Sequence, residues 1–364
     1  MPPLLTFLLV LGILVLAHEL GHFITARLAG VKVLEFGIGF PPRLFGIRRG
    51  ETIYSVNLLP LGGFVKMLGE EDPGDPRSLA AQPPLWRLII LSAGAAMNVV
   101  LAVALLSGTY LVPRDVPVGQ VIIVEVAPGS PAEAGGLQAG DIVRSINGRS
   151  IRNLFELQEE VNLNLGRDIL VAVERRAQPV IPGQTMPPGS GRIVTARVTP
   201  RWNPPPNQGP VGIRIQQVNT KVVTESYPVW EAVPMGIERS YRLLVLFKNE
   251  ILTSIARQIW PQPVGPIGIY QMTEQVQELG TGYLLEFTAL LSLNLAIINM
   301  LPIPMLDGGR VLFVLIEVAR GGRRIPPEKE SLAHLVGLVL LLAIIAVVSY
   351  YDLVRLISGE TVGR

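Results

Sequence analysis

The chain of 364 residues has no cysteine, only three histidines and few charges. Without cysteine there are no disulfides and no thiolate metal ligands. Charged residues make up 16% of the chain, against roughly 25% in a soluble globular protein. The net charge of +2 gives a nucleic-acid backbone nothing to hold, so no nucleic-acid partner is expected. What is present instead is apolar. Hydrophobic residues reach 49%, and the mean hydropathy is +0.42.

The apolar residues are gathered into runs. Residues 3–26 contain no Lys, Arg or Asp, and 89–112, 287–306 and 332–351 are uncharged. Each run is near the ~20 residues that a helix needs to cross a bilayer. The sequence therefore predicts a polytopic α-helical membrane protein with four spans, at 1–28, 87–113, 284–319 and 331–352. The first run reads as a span rather than a signal peptide: it has no basic n-region, it is long, and its first positive charge, Arg27, follows it. Basic residues crowd the 27–87 loop (Arg27, Lys32, Arg43, Arg48, Arg49, Lys66, Arg77, Arg87) and the 307–331 loop (Arg310, Arg320, Arg323, Arg324, Lys329). Both loops are expected on the cytoplasmic side, with 113–282 outside.

Three segments between the spans have character of their own. In the 29–86 loop, Thr52–Leu59 and Phe64–Leu68 are β-prone and flank Pro60-Leu61-Gly62-Gly63, which predicts a hairpin with its turn there. So apolar a hairpin either dips toward the membrane or lies at the surface. Residues 117–217 read as one mostly-β module, with Pro and Gly crowding 179–191 and 203–210 as a loop and a linker. Residues 226–258 carry apolar side chains at helical spacing among several charges, which predicts an amphipathic interfacial helix against lipid.

The densest chemistry is His18-Glu19-Leu20-Gly21-His22 inside the first span. Four-residue spacing puts both imidazoles on one helix face with a carboxylate beside them. Two neutral imidazoles and a carboxylate base make a zinc hydrolase site, and Zn²⁺ is the expected cofactor. A charged group at bilayer depth is costly and marks a functional position. Catalytic zinc takes a third protein ligand. The remaining histidine, His334, sits at the mouth of the last span and reads as an interfacial anchor. Asp307 is the best candidate. It ends an uncharged run in Asn299-Met300-Leu301-Pro302-Ile303-Pro304-Met305-Leu306-Asp307-Gly308-Gly309, where two prolines break the helix and two glycines permit close approach. An Asp that merely caps the next helix is the alternative. Glu286, Glu317 and Asp352 read as span-edge or exposed positions.

Gly129-Ser130-Pro131-Ala132-Glu133-Ala134-Gly135-Gly136-Leu137-Gln138-Ala139-Gly140-Asp141-Ile142-Val143 closely resembles the signature of bacterial PDZ domains, which bind extended chains or chain ends at a sheet edge. With the His18–His22 and Asn299–Gly309 motifs, this insert resembles the site-2 protease family of intramembrane metalloproteases, nearest to the bacterial branch that cleaves anti-sigma factors. Leu59 to Leu68, Gly94 with Asn98, and Gly265-Pro266-Ile267-Gly268 also match. Two departures accompany the resemblance: one PDZ signature where the best-known bacterial members carry two, and Gly94-Ala95 where the family often has Gly-Pro.

The resemblance implies His18, His22 and Asp307 as zinc ligands and Glu19 as general base. It also implies Asn299, Pro302, Gly62 and Gly63 as substrate-binding residues. Its expected partners are a transmembrane protein substrate, membrane lipid, and a peptide or chain end at the PDZ groove. Its expected place is the bacterial plasma membrane, with the PDZ module extracytoplasmic and the zinc toward the cytoplasmic side. Two other classes stay open at the level of sequence: a metal transporter, because intramembrane His and Asp also mark ion pathways, and a non-catalytic PDZ scaffold.

Overall fold

The computed structural model describes residues 1–70, 72–176, 191–259 and 264–358, and for Pro60 and Leu61 the backbone alone. The Pro/Gly-rich stretch at 179–190 lies outside them. The chain divides into two compact units. One comprises Met1–Thr109, Val229–Ser240 and Pro263–Arg364; the other comprises Tyr110–Pro228 and Tyr241–Gln262.

The first unit is helical apart from one β element. Helix α1 (Pro3–Leu28) leads into strands β1 (Val33–Arg49) and β2 (Thr52–Met67), and α2 (Pro84–Leu111) follows. Along α1, Thr6, Val10, Leu14, His18, His22 and Ala26 form a buried stripe. Leu5, Leu9, Ile13, Leu16, Leu20 and Ile24 are exposed on another face. The four-residue period that buries the stripe also stacks the two imidazoles.

Strand β2 pairs with β1 along more than one line, and the chain turns at Pro60 to Gly63 as the sequence predicts, although the two runs flanking that turn pair with β1 rather than with each other. The chain reverses at Gly50-Glu51 and again between Leu59 and Gly63: residues 53–56 pair with 35–38 in rising order, and 63–66 pair with the same residues in falling order. Each of Phe36, Gly37 and Ile38 has two β2 partners; Phe36 faces Tyr54 on one side and Val65 on the other. The two elements thus fold into four short runs side by side. Pro60, Leu61 and Gly62 have no partner in this register, so proline removes no ladder hydrogen bond there.

In the second unit, β3 (Arg114–Val126), α3 (Pro131–Ala134), β4 (Ile142–Ile146), β5 (Arg149–Ser150), α4 (Leu154–Leu163), β6 (Ile169–Arg175), β7 (Arg192–Val198) and β8 (Ile213–Glu225) follow in order. The sheet runs β7-β6-β4-β3-β8, with β5 paired to β4. Ile169, Val171 and Val173 of β6 point into its core, and Leu170 points out, the period-2 pattern of a half-buried strand. Asn147 (φ 51°) and Gly148 (φ 82°) make the β4–β5 turn, as left-handed residues favour. Strand β8 pairs with β3 from Ile213↔Val126 to Glu225↔Arg114. The sheet therefore extends past the 117–217 boundary expected from sequence.

Helix α5 (Val229–Arg257) presents Trp230, Ile237, Tyr241 and Ile255 outward. Within the second unit its Arg242 pairs with Glu159 and Glu160, and Asn249 donates to the Asn162 carbonyl at 2.7 Å. Helix α6 (Pro266–Leu279) was not legible in the sequence. Helices α7 (Thr281–Asn299), α8 (Asp307–Ala319) and α9 (Pro327–Ser358) complete the first unit. Among the described residues four helices (α1, α2, α7 and α9) are long and apolar enough to cross a membrane. The expected third span, 284–319, is interrupted: 300–306 is not helical, and Asp307 opens α8.

Candidate metal centre

Helices α1 and α2 cross at glycines. A Cβ on Gly21 would lie 2.7 Å from the carbonyl carbon of Ala93, and one on Gly94 would lie 2.6 Å from His18 Cε1 and closer still to His22 Nε2. Only residues without a side chain let the backbones approach so far. The same approach fixes the rings. His22 Nδ1 lies 2.8 Å from the Ile90 carbonyl of α2. A carbonyl only accepts, so Nδ1 carries the proton and Nε2 keeps its lone pair.

His18 Nδ1 lies 3.3 Å from the Asn98 amide. Asn98 is fully buried, and its Oδ1 has no partner as oriented. Exchanging the amide's oxygen and nitrogen turns Oδ1 into the acceptor of the His18 Nδ1–H. Ser292 Oγ on α7 donates to the Asn98 carbonyl at 2.8 Å, which ties a third helix to the pair.

Asp307 arrives from the far end of the sequence. Its Oδ2 is 3.0 Å from His18 Nε2 and 3.2 Å from His22 Nε2, and the two Nε2 atoms are 3.2 Å apart. Tetrahedral zinc with bonds of about 2.0–2.1 Å requires ligand atoms about 3.3 Å apart. The three separations fit that triangle. Among the described residues no other group of three His, Asp or Glu offers a comparable set. The glycines after Asp307 allow this placement: a Cβ on Gly308 would meet the Met300 carbonyl carbon at 2.5 Å, and one on Gly309 the Ile303 carbonyl carbon at 2.8 Å. Helix α8 is seated directly on the 300–306 connector.

Glu19 faces the same place. It lies in the field of His18, His22 and Asp307 and within reach of the Val65 backbone. A Cβ on Gly63 would sit 3.5 Å from Glu19 Cγ and 3.0 Å from the Gly37 carbonyl oxygen, so Gly63 brings bare β2 backbone against the carboxylate. Asn299 Nδ2 is 3.4 Å from both ring nitrogens of His18. Gly62, at φ 107°, packs on the Phe40 ring rather than on His18, His22 or Asp307, and Pro302 is exposed in the connector.

Three side chains read as peripheral in the sequence are buried. Asp352 is 0% exposed, and its Oδ2 accepts the Gly268 N–H at 2.9 Å. Glu317 is 6% exposed, with Oε2 2.6 Å from Arg87 Nη1 and Oε1 3.1 Å from Arg324 Nε. His334 is buried as well, and its Nδ1 accepts the Met305 N–H at 2.9 Å. Their partners lie far away in sequence, so no local pattern announces them. Glu286 remains partly exposed and pairs with Arg239.

Comparison with known proteins points the same way. The model of the family described as Peptidase family M50 matches residues 6–344. A Clostridium perfringens protein whose name contains the words zinc metalloprotease is 33% identical over 351 residues, covering 95% of this chain and 97% of that one. The zinc metalloprotease RasP of Oceanobacillus iheyensis is 29% identical over 443 residues, covering 98% and 100%. The regulator of sigma-W protease RasP of Bacillus subtilis is 28% identical over 443 residues, covering 97% and 98%.

Proposed function

The chain belongs to peptidase family M50, the site-2 proteases, and from that premise we propose that His18, His22 and Asp307 hold its zinc while Glu19 moves the protons of peptide hydrolysis. The enzyme is a zinc metalloprotease of the membrane, which sets aside the transporter and scaffold readings. One observation supports the ligand assignment above all: His18 Nε2, His22 Nε2 and Asp307 Oδ2 converge within 3.2 Å of one another.

When bound, zinc supplies Lewis-acid polarisation of the scissile carbonyl and makes water an effective nucleophile near neutral pH. The Glu19 carboxylate takes the attacking water's proton and returns it to the leaving amine. Asn299, beside His18, donates to the substrate backbone or to the developing oxyanion. A helical substrate hides its peptide bonds and must unwind before attack. The backbone of β2 at Gly63, against Glu19, and at its neighbour Gly62 offers the unwound strand hydrogen-bond partners that lipid lacks, and Pro302, exposed in the 300–306 connector, is assigned to the same substrate.

The substrate class is a transmembrane protein. The Bacillus subtilis relative is named a regulator of sigma-W protease, which favours an anti-sigma factor. The basic loops favour a bacterial plasma-membrane topology with the zinc toward the cytoplasm and the β-rich unit outside. That unit acts as a PDZ module that takes a peptide or chain end at a sheet edge, and α5 lies along lipid.

The test is a pair of variants reconstituted with a single-span substrate. Glu19→Gln is expected to keep one zinc per chain and lose cleavage; retained cleavage removes Glu19 from the mechanism. Asp307→Ala is expected to lose zinc; unchanged metal content moves the third ligand elsewhere.

A further inference from the structure

The connector 300–306 delivers Asp307, and its geometry is held from outside. Met305 has φ 83°, a left-handed conformation that non-glycine residues avoid. Such a backbone persists only where its surroundings impose it. The imposing contact comes from α9. The Met305 N–H donates to His334 Nδ1 at 2.9 Å, which fixes Nδ1 as the unprotonated ring nitrogen. The His334 ring is buried edge-on against Phe313 of α8, centroids 5.5 Å apart. Three residues further along α9, Gly337 lets the helix down onto the connector: a Cβ there would lie 2.7 Å from the Pro304 carbonyl carbon. His334 and Gly337 lie on one face of α9 and grip two consecutive residues, Pro304 and Met305.

We propose that His334 is a positioning residue: by accepting the Met305 N–H it fixes the backbone two residues before Asp307 and so sets the place of that carboxylate against His18 and His22. His334 is not itself a ligand, since it touches none of the three. The proposal rests on Asp307 as a zinc ligand. It adds that the fourth apolar helix, which contributes no ligand, controls how well the metal is held.

Zinc affinity of the full-length protein, measured by competition with a chelator, tests this in three variants beside Asp307→Ala. His334→Phe keeps an aromatic ring against Phe313 but accepts no hydrogen bond, and is expected to bind zinc about tenfold more weakly, as loss of an outer-shell partner does. His334→Asn puts an amide oxygen where Nδ1 stood and is expected to restore most of that loss. Gly337→Ala is expected to weaken zinc like His334→Phe, because its Cβ drives into Pro304. Wild-type affinity in His334→Phe, or a loss in His334→Asn that Phe repairs, overturns the proposal in favour of plain packing. If Asp307→Ala keeps its zinc, the ligand assignment fails instead.

Discussion

Replacing Gly94 with alanine adds one methyl group at the crossing of α1 and α2, where there is no room for it. The new Cβ would stand 2.6 Å from His18 Cε1 and 2.8 Å from His18 Nδ1, and nearer still to His22 Nε2. Unbonded carbon atoms rest about 3.5–4.0 Å apart, so the imidazoles or the helix must move by about 1 Å. A displacement of that size in a catalytic constellation costs about 100-fold in rate. Helix propensity runs the other way, since alanine is favoured over glycine by about 1 kcal/mol inside a helix. The variant should therefore hold its helices and lose its site. The assay is zinc content at fixed free metal, followed by cleavage of a reconstituted single-span substrate, with Gly12→Ala as control because nothing lies within 4 Å of a Cβ at Gly12. Gly94→Ala with wild-type zinc and turnover would refute the close crossing as the device that places the two histidines.

Two further outcomes follow from buried charge. Glu317→Ala leaves Arg87 buried without its carboxylate, a loss of about 3–5 kcal/mol; thermal unfolding in detergent should show it, and a change below about 1 kcal/mol would mean water reaches the pair. In the β-rich unit, burial alone would raise the Glu174 pKa, but hydrogen bonds from Arg144 and Arg176 bring it below the ordinary 4.5. A depressed folded pKa contributes stability that is present above pH 4.5 and is lost as pH falls through the folded value. Hydrogen-exchange protection factors of β6, corrected for the intrinsic rate at each pH, should therefore hold down to about pH 4.5 and fall below it in the wild type, with a shallower acid dependence in Glu174→Gln.

The membrane helices were legible because apolar runs of the right length have few other uses, and the His18–His22 pair was legible because four residues make one turn. Asp307 was proposed by elimination, helped by the prolines and glycines that break its run, and the structure brings it beside His18 and His22. Long-range features were not legible. Pro60-Leu61-Gly62-Gly63 is the turn it looks like, yet the runs on either side of it pair with residues 35–38 of β1 and not with each other. Strand β8 was missed because Gln216, Gln217, Asn219 and Thr220 interrupt its apolar alternation, and its support comes from β3. Asn98 and His334 bond atoms of distant segments, His18 Nδ1 and the Met305 N–H, and such partners appear only when the chain is folded.

The three proposed zinc ligands are unevenly spaced in time as well as in sequence. His22 and Asp307 are 285 residues apart, so at about 5–20 residues per second of synthesis the second histidine waits roughly 15–60 s for the carboxylate. During that interval the first helix carries half a metal site and an acidic side chain with nothing to act on. On the proposed ligand set, the protease becomes competent only once Asp307 has been made and folded against the histidines. On that assignment, a nascent chain that ends before Asp307 is expected to cut nothing.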